Sequence, residues 1–431
     1  MVTILKIAGL VFEQFGNLLL DEFFWIIILV LIAIYRKNAG IETRMLGTSY
    51  PIFYKVSSSV LVGLAGGLLG SLIVILLGIS IVDYTSAGEG SLTDAITYIW
   101  IIAILLAVIN PRYLCFSYAG GLVALSNLIF GFPSVNVPGL LALIGVLHLV
   151  ESFLIWLDGY TYSVPLFLKR QKGDTVGGYV MNKVWPIPLV VFAVMFGGEG
   201  GRISLAEIID MPSWWPFLKH SAAGGIRDLV YIPLVVPVVL GYGDMAITKM
   251  PDRKCRSSAV RLAGYSLILI ILSIIASKVR IFAYAAAVFA PLAHEMLIIY
   301  GAKEEEEGEP YFASKENGIK VLYVQKDSIA DKMNIRPGDT ILRINGISVY
   351  SEKHLTELLS SYPTFIWLDI KKPAGSVITA EHMNYRTGIG SLGALIVPGN
   401  TDFYYEMSTG SSVAKRLLRR LKRKHKRDID V

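Results

Sequence analysis

The chain has 431 residues, 54% of them hydrophobic and only 17% charged, with mean hydropathy +0.56 and a net charge of +6. A soluble domain carries about 25% charged residues, so a single water-soluble globule is excluded for residues 1–301, where the deficit is concentrated. The two cysteines, Cys115 and Cys255, exclude a disulfide framework, and the sequence shows no cysteine cluster with metal-ligand spacing.

A bilayer crossing needs about 20 mostly apolar residues. Apolar runs bounded by charge, Pro or Gly predict nine membrane segments, near 18–35, 57–82, 94–110, 114–132, 137–157, 185–198, 229–247, 259–277 and 281–300. The sixth is short enough to be re-entrant rather than spanning. The N-terminal stretch does not read as a cleaved signal peptide, because Glu13 interrupts its apolar run and no small-residue cleavage site follows.

Basic residues set the orientation of such a chain. Arg36, Lys37, Arg44 and Lys55 follow the first segment, Lys169, Arg170, Lys172 and Lys183 the fifth, and Lys249, Arg253, Lys254 and Arg256 the seventh. The alternation predicts an outside N-terminus and a cytoplasmic C-terminus, with Lys278 and Arg280 as the exception.

Within the second segment, Gly63, Gly66, Gly67 and Gly70 place small residues on one helical face. That predicts close packing in the bundle, with self-association as the alternative. The stretch 199–228, with Trp214 and Trp215 among scattered charges, predicts an amphipathic segment in the outer interface. His148, Glu151 and Asp158 form a candidate intramembrane polar cluster. His148 and Glu151 share a face at i, i+3, and this reads as a structural pair or as a proton or substrate site.

A metalloprotease reading needs two histidines on one helical face. His294-Glu295-Met-Leu-Ile298 lacks the second, as does His148-x-x-Glu151, and Leu157-Asp158-Gly159 stands alone. No Gly-x-Ser-x-Gly elbow is present either. The expectation is a non-enzyme with no cofactor and no metal.

Composition changes at Ala302, where Lys303-Glu-Glu-Glu-Glu-Gly308 predicts a charged, solvated linker over 302–309. Beyond it, Ile319, Val321 and Tyr323 alternate as a half-buried strand. Ser328 caps a short helix ending at Asn334, and Arg336-Pro337-Gly338-Asp339 is a turn. Ile341, Leu342 and Ile344 make the next strand, Asn345-Gly346 is a hairpin signal, and 351–359 is helical.

This order, with Ser328-Ile-Ala-Asp…Ile335-x-Pro-Gly-Asp-x-Ile341-x-x-Ile344-Asn-Gly346, resembles a bacterial-type PDZ domain over 310–400, with its core at 318–372. The resemblance implies capture of an extended peptide by strand addition. Gly318 and Ile319 are candidate peptide-binding residues, although no carboxylate-binding loop precedes them. A rearranged candidate follows at Leu392, Gly393, Ala394 and Leu395, with a plain core strand as the alternative.

The tail over 401–431 holds nine Lys/Arg in the 13 residues from Lys415, and without them the net charge falls from +6 to −3. Lys415, Arg416, Arg419, Arg420, Lys422, Arg423 and Lys424 suit anionic lipid or an acidic partner. Without interleaved aromatics, nucleic acid is not the expected ligand.

The sequence therefore predicts an α-helical polytopic bundle of eight to nine spans, a small α+β PDZ-like domain and a basic tail. That architecture, together with Leu147-His-Leu-Val-Glu-Ser152 and Ala290-Pro-Leu-Ala-His-Glu295, resembles the MinJ family of division-site proteins. The resemblance implies a non-catalytic adaptor in the plasma membrane that links a polar coiled-coil protein to the MinC–MinD inhibitor. A transporter-like bundle with a regulatory PDZ domain is the alternative.

Overall fold

A computed structural model describes residues 9, 11–16, 18, 20–83, 92–170, 175–196, 215, 218, 229–313, 318–398, 405 and 406. Helices α1 (Glu22–Leu46) and α2 (Ile52–Leu77) are followed by strand β1 (Ser80–Asp83), then by α3 (Leu92–Ile109), α4 (Phe116–Phe130) and α5 (Val137–Asp158). Strands β2 (Val164–Lys169), β3 (Thr175–Phe196) and β4 (Leu229–Ala246) come next. Two long helices, α6 (Pro251–Ala276) and α7 (Arg280–Glu307), close the membrane-side unit.

Among the described residues, five helices are long and apolar enough to cross a membrane: Phe24–Leu46, Ile52–Leu77, Val137–Asp158, Pro251–Ala276 and Arg280–Glu307. Segments 94–110 and 114–132 are shorter apolar helices. The sixth and seventh predicted segments, 185–198 and 229–247, are not helices. They are the two arms of one antiparallel hairpin, β3 on β4, in register from Tyr179↔Ala246 to Phe196↔Leu229.

Proline explains the difference. Pro186, Pro188, Pro233 and Pro237 would each break a helix interior, while the Val/Ile-rich runs around them suit a pleated ribbon. In a strand the N–H direction alternates, so residues 186, 188 and 190 share one edge of β3, facing α2. Proline removes the first two donors, and the third, Val190 N–H, donates to Ser71 Oγ on α2 at 2.8 Å. Beyond it, Phe192 pairs with Ser80 of β1. Among the described residues from Pro186 to Val190, every donor on this edge is removed or bonded.

The glycine face of α2 therefore serves a helix–strand contact. A Cβ on Gly67 would meet the Pro188 carbonyl oxygen at 2.5 Å, and Gly63 is as tightly placed on Pro186. Gly66 and Gly70 lie against Val150 and Leu154 of α5.

Helix α5 is the axis of the unit, with sixteen buried residues from Val137 to Asp158. The run expected to be a solvated linker is the end of α7. Its Glu305 is 2% exposed and accepts hydrogen bonds from the backbone N–H groups of Ile247 and Thr248 at 2.7 and 2.8 Å. Lys254 lies 3.2 Å from its other oxygen.

The second sheet runs β10 (Ala394–Ile396), β5 (Ile319–Val324), β6 (Thr340–Ile344), β8 (Phe365–Lys371), β9 (Val377–Met383), with β7 (Ile347–Ser348) beside β6. Two short helices, α8 (Ile329–Lys332) and α9 (Glu352–Leu359), cover one side. Its core holds Ile319, Val321, Ile335, Ile341, Ile366, Leu368 and Ile370, each at most 1% exposed. The turns form as the sequence predicts. Asn345 and Gly346 take φ of +48° and +79°, Asn334 ends α8 at φ +54°, and Ser328 Oγ accepts from the Asp331 N–H.

The two units are joined at both ends of the small domain. On entry, Phe312 O accepts from Gly177 N–H of β3 at 2.9 Å, and Tyr311 N–H donates to Ile247 O at 2.8 Å. On exit, β11 (Tyr405–Glu406) lies parallel to β2 at Leu168–Lys169. Between these points the Tyr179 hydroxyl donates to the Leu322 carbonyl, and Gly177 sits under Val397, Leu322 and Phe312.

Candidate functional site

Strand β10 is the terminal strand of its sheet, paired antiparallel with β5 through Ala394↔Val324 and Leu395↔Tyr323. The Gln325 N–H donates to Gly393 O at 2.9 Å, so Gly393 turns its carbonyl toward β5. By alternation Leu395 does the same, and the N–H and C=O of Ala394 face away from β5 along the sheet edge. An extended peptide needs such a row to add a strand.

The loop before it, Gly388-Ile-Gly-Ser-Leu-Gly393, is held rigidly. Ile389 N–H donates to Pro363 O at 2.9 Å, and Ala330 N–H donates to Leu392 O at 2.8 Å. Gly388 and Gly393 both have φ of +69°, the left-handed region that favours glycine. A Cβ on Gly393 would meet Ser328 Cβ at 2.5 Å, so any side chain there disturbs the cap of α8 as well as the loop. Leu392 and Ile396 are buried in the domain core, while Leu395 packs toward the membrane-side core.

Gly318 and Ile319 are elsewhere. Ile319 is 1% exposed and pairs with Ile341 inside the sheet, and Gly318, at φ +112°, lies against the Ile341 carbonyl. The structure places neither on the open edge. The tail cations Lys415, Arg416, Arg419, Arg420, Lys422, Arg423 and Lys424 lie outside the described residues, as does most of the 199–228 stretch.

The expected polar cluster of His148, Glu151 and Asp158 divides into two. Ten residues of helix separate His148 from Asp158, a rise of about 15 Å. Asp158, 2% exposed, accepts from Trp185 Nε1 at 2.9 Å and pairs with buried Lys183 at 3.0 Å, with Thr161 and Ser58 completing the group. This pins the end of α5 to the hairpin. A second buried pair, Lys55–Glu42, links α2 to α1.

His148 instead meets Cys115 at the start of α4 and His294 on α7. Cys115 Sγ lies 3.1 Å from His148 Nε2 and 3.7 Å from His294 Nε2, with Glu151 Oε2 4.0 Å from His148 Nε2. Along the sequence, no cysteine has metal-ligand spacing to another. These three side chains come together only through the fold, since Cys115 is 33 residues from His148 and 179 from His294.

A PDZ-domain family model matches residues 320–371. Over 417 residues the chain is 24% identical to the cell division topological determinant MinJ of Bacillus subtilis, covering 92% of this chain and 95% of that protein. The crystal structure of the PDZ domain of an SdrC-like protein from Listeria innocua matches with 20% identity and a TM-score of 0.17, covering 21% of this chain and all of that one.

Proposed function

We propose that the protein is a membrane-held adaptor in the placement of the cell-division site, recruiting cytoplasmic partners by strand addition along β10. The supporting observation is the open Ala394 edge of a PDZ domain, in a chain similar along nearly its whole length to a cell division topological determinant. The proposed partners are a polar coiled-coil protein and the MinC–MinD inhibitor, with the basic tail resting on anionic lipid. The PDZ domain and C-terminus lie in the cytoplasm. Replacing two predicted spans by one hairpin removes crossings as a pair and leaves that side assignment unchanged. In this reading the chain carries no catalytic activity.

The test uses the full chain with Ala394→Pro, which deletes the outward N–H and spares the backbone bonds to β5. Losing one backbone hydrogen bond at about 1 kcal/mol lowers partner recovery about five- to tenfold in cells, and division sites become misplaced. Unchanged recovery of division proteins and normal division placement would move recognition away from β10.

A further inference from the structure

Hydrogen counting at the Cys115–His148–His294 cluster leaves a gap that a cation fits. His148 Nδ1 lies 2.8 Å from the Ile144 carbonyl, which can only accept, so Nδ1 carries the proton and Nε2 presents a lone pair. Ser117 Oγ is 3.2 Å from that Nε2, yet its hydrogen is committed elsewhere. The Tyr265 hydroxyl donates to Ala290 O at 3.0 Å, so it accepts from Ser117 at 2.7 Å.

The same reasoning applies to His294. The Tyr118 hydroxyl donates to Glu295 Oε2 at 2.6 Å, leaving its oxygen to accept from His294 Nδ1 at 3.4 Å, and Glu295 is held in turn by Arg112 at 2.6 Å. His294 Nε2 therefore also presents a lone pair. Two imidazole lone pairs converge on one thiol, which has a single weakly donated hydrogen.

We propose that Cys115, His148 and His294 bind a Zn2+-class cation through one thiolate and two neutral imidazoles. Tetrahedral zinc, with Zn–S of about 2.3 Å and Zn–N of about 2.05 Å, sets sulfur–nitrogen separations of about 3.6 Å, and the two separations here are 3.1 and 3.7 Å. All three ligand atoms lie within 4.8 Å of one another. The outer hydrogen bonds that ligating histidines require are already made, by Ile144 O and by Tyr118 backed by Glu295. Glu151 Oε2 lies 4.0 Å from His148 Nε2, so with a bound divalent cation one thiolate and this carboxylate, once ionised, would make the site neutral in an apolar bundle. Binding releases the thiol proton to solvent. The site ties α4, α5 and α7 together, independently of what β10 recognises.

The experiment is a Co2+ titration of the full chain, purified in detergent without a histidine tag, followed by Zn2+ competition. One equivalent of Co2+ should produce a thiolate-to-cobalt charge-transfer band and tetrahedral visible bands, both displaced by Zn2+. The chain has two cysteines, and Cys255 is buried against Met181 and Tyr242. Cys115→Ser should therefore abolish the charge-transfer band, while Cys255→Ser retains it. Cys115→His should keep one-to-one binding without that band, which separates lost ligation from lost folding. Glu151→Gln and Tyr118→Phe should each weaken Co2+ about 10- to 100-fold, as substitutions around a metal's ligands do. No band in the unaltered chain, or a band that survives Cys115→Ser, overturns the proposal.

Discussion

The two cores of this chain are built on opposite terms. Among the described residues of the small domain, Asp339 is the one buried charge, held by Lys372 at 2.7 Å and by the Arg336 N–H at 2.8 Å. The membrane-side unit buries Glu42, Lys55, Asp158, Arg170, Lys183, Lys254 and Glu305. In water an apolar sheet face gains by leaving solvent, so the small domain needs little else. Between lipid and a helix bundle that gain vanishes, and close packing with paired polar groups takes over. Mixed helix–strand packing adds exposed backbone donors, which Ser71 and the prolines of β3 remove.

The largest test of that contrast is Asp158→Ala. It leaves Lys183 buried without its partner and should cost about 3–5 kcal/mol, read as loss of the folded fraction in a detergent unfolding assay. A cost below about 1 kcal/mol would mean that the pair is idle and the contrast fails. In the small domain, Ile366→Ala should cost about 3 kcal/mol through cavity formation. Hydrogen exchange should rise in β5, β6 and β8 and stay unchanged in α5 and α6. Spread of that exchange into the membrane-side helices would show that the two cores are one cooperative unit.

Ser71→Ala should be milder, about 1–2 kcal/mol, for stranding the Val190 N–H, with faster exchange at that amide as its signature. The smallest effect belongs to Lys353→Ala, whose exposed i, i+4 partner Glu357 lies 3.9 Å away. It should change stability by less than about 0.5 kcal/mol, and a larger loss would sharpen the comparison by showing that surface charge matters in the small domain.

Legibility in the sequence followed the range of the interactions. The small domain was readable because its signals are local: Ser328 at a helix start, Asn334 at its end, Asn345-Gly346 at a tight hairpin. The long hairpin was hidden because a continuous apolar run carries no period to separate strand from helix, and a length of 14–19 residues then favours a span. The alternate prolines Pro186 and Pro188 were the available signal. They fit a strand with one blocked edge and do not fit the middle of a helix. The glycines of α2 correctly marked close approach, but a glycine face does not say whether a helix or a strand comes near. The Cys115, His148 and His294 grouping had no local signature, because each comes from a different helix. Asp158 looked like a neighbour of His148 on the chain, yet a helix of that length carries the two to separate ends.

The small domain is stitched to the β2–β3 sheet on entry through Gly177 and Phe312, and on exit through β11. A partner gripping β10 and drifting with its own assembly would load both stitches at once. Two anchors on one sheet resist swivelling about either, so under the proposed adaptor role β10 would keep a constant bearing to the bilayer. In the proposed role such a chain would act as a hitch rather than a leash, reporting where a partner stands and which way it faces.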